Sequence, residues 1–259
     1  MSLPDPSKKI SEVKQILKLA IDHRDYIDLF SVRKYERMAK EMHVISERFE
    51  FLGFVYGAAG RSEDAIDSFK KGAAFRNASI ARNYLAYLSR ARHYELYRLE
   101  AIRIAREISD YRLFIRARNA AYASGDIELS SFFAKKAIAM VREDSERKAL
   151  LEEFEMHKER LEKFQKISGL LQSEIEKFTL LVVNVTNKFN VTAVAHDFYS
   201  SVDSTDAAVI CDVMCDDPDT LAEMDIEIAT VIAMSDIFSL KNVTAWYRVA
   251  DGHTSEALQ

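Results

Sequence analysis

A chain of 259 residues, 48% apolar and 30% charged, has the make-up of a globular protein with a real core and room for one large domain or two ordinary ones. Seven Gly and three Pro leave little material for elaborate loops and point to long helices, while the longest apolar runs, such as Phe178 to Val183, fall far short of the roughly 18 residues a membrane span needs. The net charge of -5 hides an asymmetry: residues 177–259 hold four Lys+Arg against thirteen Asp+Glu, a net of -9, which leaves +4 for the preceding 176 residues. A charge switch of this size suggests two domains with different partners, or with an attraction for each other.

The beginning of the chain, Met-Ser-Leu-Pro-Asp-Pro-Ser-Lys-Lys, has no apolar stretch followed by a cleavage site. Cys211 and Cys215 make no disulfide framework and fit a reducing compartment, so the expected location is cytoplasmic. On that expectation the sequons at Asn77, Asn184, Asn190 and Asn242 are chance matches.

Up to residue 144 the apolar spacing is helical throughout, with polar breaks that divide the region into four hairpins. The first uses Ile10 to Ile21 and Leu29 to His43, broken near His23-Arg24-Asp25. The second places Phe49, Leu52, Gly53 and Tyr56 on one helix, Gly60 in the turn, and Ala65, Phe69 and Gly72 on the next. There the large residues form an apolar face and the small ones sit where two backbones must approach closely. Ser62 followed by Glu63 and Asp64 starts that second helix with a cap and favourable charges. In the third hairpin Asn83 to Arg92 leads to Leu96 through Ile108, and in the fourth Tyr111 to Ala123 turns at Ser124-Gly125-Asp126 and continues to Met140.

The run from Phe49 to Gly72 resembles a tetratricopeptide repeat, whose pattern has an aromatic, then Leu-Gly, then Tyr, then Ala-x-x-x-Phe at these intervals. The other three hairpins keep the pattern only in part: where Leu52-Gly53 would recur, they show Leu88-Ser89 and Ala117-Arg118 in the third and fourth. The resemblance implies an α-solenoid whose hairpins bury surface by stacking and whose groove holds another polypeptide. It also implies that the first helix of each hairpin lines the groove, which turns Asn83, Arg90, Tyr94, Arg112, Asn119 and Tyr122 inward as a partner-binding set. Asparagine amides bond an extended backbone, and arginines clamp carboxylates. Family members that clamp chaperone tails place Lys where this chain has Glu50, Ala86 and Ile115, so that version is not supported.

Residues 145–177 carry Leu150, Phe154, Leu161, Phe164, Leu171 and Ile175 on one stripe, as a long amphipathic helix does, with a weak point at Ser168-Gly169. It caps the stack, connects it to the C-terminal region, or pairs with a copy of itself in a homodimer. After Lys177 the vocabulary changes to Val, Thr, Ile and Phe. Strands are expected over Thr179 to Thr186, Asn190 to Phe198, Ala207 to Met214 and Val243 to Val249. A helix is expected from the capping box Thr220-Leu-Ala-Glu223 onward, with a strand over Asp225 to Met234 as its rival, and the tail from His253 is expected to be loose. The predicted whole is α+β, mainly α: helical repeats over 1–144, a capping or connecting helix over 145–177, and a small acidic α+β domain over 178–259.

Between Arg76 and Arg118 stand ten arginines, no lysine, and five tyrosines. Planar guanidinium groups suit forked recognition of carboxylate or phosphate, though long Arg stems also pack over apolar surface and pair with Glu95, Glu100, Glu107 and Asp110. The expected partner is a protein or peptide, acidic in character, with the chain's own acidic domain as an internal competitor for the same surface. Nucleic acid is disfavoured by the pI of about 5.8 and the lack of a glycine-rich or zinc-knuckle element. His196-Asp197 is too little for a catalytic or metal centre, with His253 as the sole further histidine in that domain. Cys211 and Cys215 read as inward strand positions, and Asp212, Asp216, Asp217 and Asp219 lack the glycine and terminal glutamate of a calcium loop. No cofactor or metal is expected. The reading is a non-enzymatic interaction module, with two alternatives: a small hydrolase or ligand-sensing C-terminal domain supported by the repeats, and a nucleic-acid-binding regulator using the Arg/Tyr-rich stretch.

Overall fold

The computed structural model describes residues 6–201 and 206–250. The expected looseness from His253 onward lies outside them. Eleven helices and one three-stranded sheet make up the described chain, a mainly α architecture with a small β part. The helices are α1 (Pro6–His23), α2 (Leu29–Lys40), α3 (Ile45–Ala58), α4 (Ser62–Ala73), α5 (Ala78–Arg90), α6 (Tyr94–Glu107), α7 (Tyr111–Ala123), α8 (Ile127–Met140), α9 (Asp144–Ser168), α10 (Gln172–Lys188) and α11 (Pro218–Ala233); the strands are β1 (Thr192–Ser200), β2 (Ala207–Met214) and β3 (Val243–Val249). Packing divides the chain into two compact units, residues 1–93 and 94–259. The boundaries expected at 144 and 177 are not where packing separates the chain.

In the first unit the helices are helical-repeat-like, each packed on its neighbours along the chain from α2 to α5, and α1 packed on α3. Its centre is Phe69 on α4, fully buried, with Tyr84 and Tyr87 stacked at 5.9 and 5.1 Å and Phe54 edge-on at 5.0 Å. Gly53 makes room for that ring, since a Cβ there would come within 2.6 Å of Phe69 Cδ2. The Leu-Gly step of the sequence pattern is therefore a packing device: α3 can lie against an aromatic ring of α4 because it presents no side chain at that point.

The second unit joins α6 to α9 with the C-terminal sheet through one apolar core. That core runs from Tyr122 on α7 and Leu161 and Phe164 on α9, through Phe178 and Val182 on α10, to Phe198, Cys211, Met224 and Tyr247 around the sheet. The sheet has order β1-β2-β3, with β1 antiparallel and β3 parallel to β2, so α11 makes the crossover that a parallel pair requires. Register places His196 opposite Cys211 and Cys211 beside Tyr247, three side chains on one face, and Tyr247 closes that face by donating to Val182 O at 2.7 Å.

Strands over Ala207–Met214 and Val243–Val249 form where the alternation predicts them, and the strand expected from Asn190 begins at Thr192. Thr179 to Thr186, expected as a strand, is instead the middle of α10. Ile175, Phe178, Val182 and Val185 fall at helical spacing and are all buried, as are Thr179 and Thr186, so packing overrides the β-branched composition. Thr179 and Thr186 also return their hydroxyls to the helix carbonyls of Glu176 and Val183. The long helix stops at Gly169, in the left-handed region at φ 62°, and the rival strand over Asp225–Met234 is instead part of helix α11 and its C-cap, the helix being capped at its start by Asp217, ahead of the Thr220 signal. Gly125, in the α7–α8 turn at φ +76°, would bring a Cβ to 2.7 Å from Ile175 Cγ2 on α10. Gly125→Ala should therefore cost about 2–3 kcal/mol, from the left-handed backbone and the overpacking together, read by chemical denaturation followed on Trp246, the one tryptophan.

Candidate functional site

Lys14, Lys18 and Asp22 recur every fourth residue on α1 and so share one helix face. That face meets α3 and α5 of the first unit in a polar band. Glu50 on α3 has a side chain only 5% exposed and is held from two sides: Lys14 Nζ pairs with its Oε2, and Asn83 Nδ2 on α5 donates to its Oε1 at 2.6 Å. Lys18 Nζ donates to Asn83 Oδ1 at 3.4 Å and stands 5.2 Å from the centre of the Phe54 ring. At the far end of the band Arg90 Nε meets Asp22 Oδ1 at 3.2 Å. Burial pulls the Lys18 ammonium below its ordinary pKa, with Arg90 adding to the effect and Glu50 opposing it. The Asp22 carboxyl is pushed up by burial against the pull of Arg90.

Of the six residues expected to form the groove, Asn83 and Arg90 belong to the first unit and are members of this band. The other four belong to the second unit, and two of them are committed inside it. The Tyr94 hydroxyl accepts from the Ala193 N–H at 2.9 Å. Tyr122 is buried, stacks on His157 at 4.7 Å, meets Phe198 edge-on, and donates its hydroxyl to Asp197 Oδ1 at 3.3 Å. Both face the chain's own strand β1, which corrects their expected place in an open groove: an amphipathic tyrosine at these positions serves the interior and satisfies its hydroxyl there. Asn119 is exposed but accepts from Arg118 Nε and Nη2 at 2.9 and 2.8 Å, and Arg112 is exposed on the first turn of α7.

Around Tyr122 lies a second polar cluster. Arg118 Nη2 bonds Glu153 Oε1 at 2.8 Å, His157 Nδ1 lies 3.8 Å from the same oxygen, and Arg160 pairs with Asp197. Burial, then the Arg118 charge, holds His157 below its usual range. Each charge in this cluster has an opposite partner within it.

His196 and Asp197 do not act together. Successive strand residues point to opposite faces, and Asp197 is taken by Arg160 and Tyr122, whereas His196 is half-buried, its Nε2 shielded from solvent, near Arg98 of α6. Arg98 is 7% exposed, donates through Nη2 to Thr179 Oγ1 at 2.9 Å, and is pulled down to about 10 by burial. Burial and then the Arg98 charge push His196 down to about 3. Its Nε2 and the Arg98 Nη1 have no hydrogen-bond partner among the described residues. Cys211 is buried, and its thiol is pushed up by burial and by Asp212, the reverse of an activated nucleophile. Asp212 pairs with Arg248 and Asp217 caps α11. Among the described residues no group of three or more His, Cys, Asp or Glu is placed to hold a metal ion, and no helix is long and apolar enough to cross a membrane.

Lys14, Lys18, Asp22 and Glu50 were not among the residues expected from sequence to form the site, although the spacing of four on α1 signals a shared polar face. A helical-repeat-like α protein with a small mixed sheet is the class that this fold defines. No family model, curated protein or solved structure matches the chain.

Proposed function

We propose that this chain is a cytoplasmic, tetratricopeptide-like interaction protein that holds an extended segment of a partner protein along α1, α3 and α5. The observation that carries the reading is the polar band of Lys14, Lys18, Asp22, Glu50, Asn83 and Arg90, contributed by three helices at a half-buried surface. Alternate helices of a repeat stack present such a band, and a band of fixed charges offers a peptide both donors and acceptors without costly rearrangement. We read the chain as non-catalytic: the second unit spends Asp197, Asp212 and Tyr122 on internal pairs.

A displayed library of random peptides selected against the full chain tests this. Enriched sequences should lose about tenfold or more of their affinity for an Arg90→Ala variant, because removing Arg90 frees Asp22 and inverts the charge at that end of the band. Enrichment of no peptide, or of peptides indifferent to Arg90→Ala and Lys14→Ala alike, would refute the reading.

A further inference from the structure

Three cations, Lys14, Lys18 and Arg90, share the band with two carboxylates, Glu50 and Asp22. Lys14 is assigned to Glu50 and Arg90 to Asp22. That leaves Lys18, whose ammonium has three hydrogens to donate, with one long bond to an amide oxygen and the face of the Phe54 ring. Among the described residues no carboxylate lies within ion-pair distance of it. Desolvation has already been imposed on this charge by the fold, which burial and the neighbouring Arg90 register as a lowered pKa. A cation stripped of part of its water and attracted by Glu50 and Asp22 only from beyond bonding distance gains from a carboxylate that arrives with the ligand and bonds it directly.

We propose that Lys18 anchors a single aspartate or glutamate side chain of the bound segment. This rests on the partner-binding reading above and adds the chemistry of the partner to it. The band has one surplus positive charge, which matches a carboxylate; a phosphate, with a charge of about -1.5 to -2, would exceed it. Asn83 is already tied into the band, one amide hydrogen bonding Glu50 and its oxygen accepting from Lys18. The arriving carboxylate takes Lys18 as its donor and shields it from Arg90, so binding relieves a repulsion present in the empty band.

Two measurements on the full chain decide the matter. In the first, acetate is titrated while the Lys18 side-chain signals are followed by NMR. A saturable shift at Lys18 is expected, together with a saturable shift of the backbone amide signals of Leu17, Leu19 and Asn83 that is lost in Lys18→Gln and retained in Lys18→Arg; no saturable shift overturns the proposal. In the second, peptides selected from the random library are resynthesised with each acidic residue changed to its amide, and separately with an amidated C-terminus. One Asp→Asn or Glu→Gln change should weaken binding about tenfold or more, with no further loss when combined with Lys18→Gln. Independent losses that multiply, or a loss confined to C-terminal amidation, overturn the assignment to a side chain. Failure of the library with a positive acetate result sinks the partner-segment reading and leaves the anion site. A peptide that binds without a carboxylate requirement does the reverse.

Discussion

Phe69→Ala should destabilise the first unit by about 3–5 kcal/mol, the largest single loss expected from that unit's core. The ring is fully buried, contacts three other aromatic rings, and fills the place that Gly53 leaves open on the facing helix. Truncation removes the apolar transfer term and also leaves a cavity between α3, α4 and α5 that no neighbour can fill, because Tyr84 and Leu85 are fully buried and fixed by their own packing. The tryptophan lies in the second unit, so the change is read by far-UV circular dichroism during chemical denaturation. A first transition should move to lower denaturant while the Trp246 fluorescence transition moves less. A shift corresponding to less than about 1 kcal/mol would show that the Gly53–Phe69 contact does not organise the unit.

Acid should weaken the second unit, chiefly through His196, with His157, also held below its usual range by burial, acting in the same direction. Its folded pKa of about 3 lies far below the roughly 6.5 of an unfolded histidine. Above pH 6.5 neither state binds the proton and stability is at its full value. Between about 6.5 and 3 the unfolded chain is protonated and the folded one is not, so stability falls with pH by up to about 1.4 kcal/mol per unit. The Asp225 carboxyl, raised by burial although the Tyr247 N–H bonds it, works in the opposite direction and offsets part of the loss. Denaturation midpoints followed on Trp246 should drop steeply on acidification of the full chain, and His196→Leu should flatten that dependence by removing both the titrating ring and its unpartnered Nε2. An unchanged slope in the variant would assign the acid sensitivity to other groups.

The helical part of the fold was legible because its signals are local. Phe49, Gly53, Ala65 and Phe69 lie within one hairpin, and their spacing alone fixes which faces meet. The strands Ala207–Met214 and Val243–Val249 were legible for the same reason, through alternation and flanking turns. Residues 179–186 were not, since Val and Thr are read as strand formers until it is known that Phe178, Val182 and Val185 face one apolar core. The site was legible in part. Asn83 and Arg90, expected in a groove through the repeat register, are members of the polar band, but that register could not tell that Tyr94 and Tyr122 would be consumed by a strand about 75 to 99 residues further on. Nor could it show that Glu50, at a position where a clamp would carry Lys, draws Lys14 and Asn83 to itself and so leaves Lys18 without a directly bonded carboxylate. Those facts depend on contacts between elements far apart in sequence, which spacing rules do not encode.

The most direct test of the proposed partner-binding face is hydrogen–deuterium exchange of the full chain with and without a selected peptide, followed segment by segment. Protection gained on α1, α3 and α5, and reduced in Lys18→Gln, is the predicted result. Protection confined to residues 94–259, with α1 and α3 unchanged, would contradict the assignment and move the binding surface to the second unit.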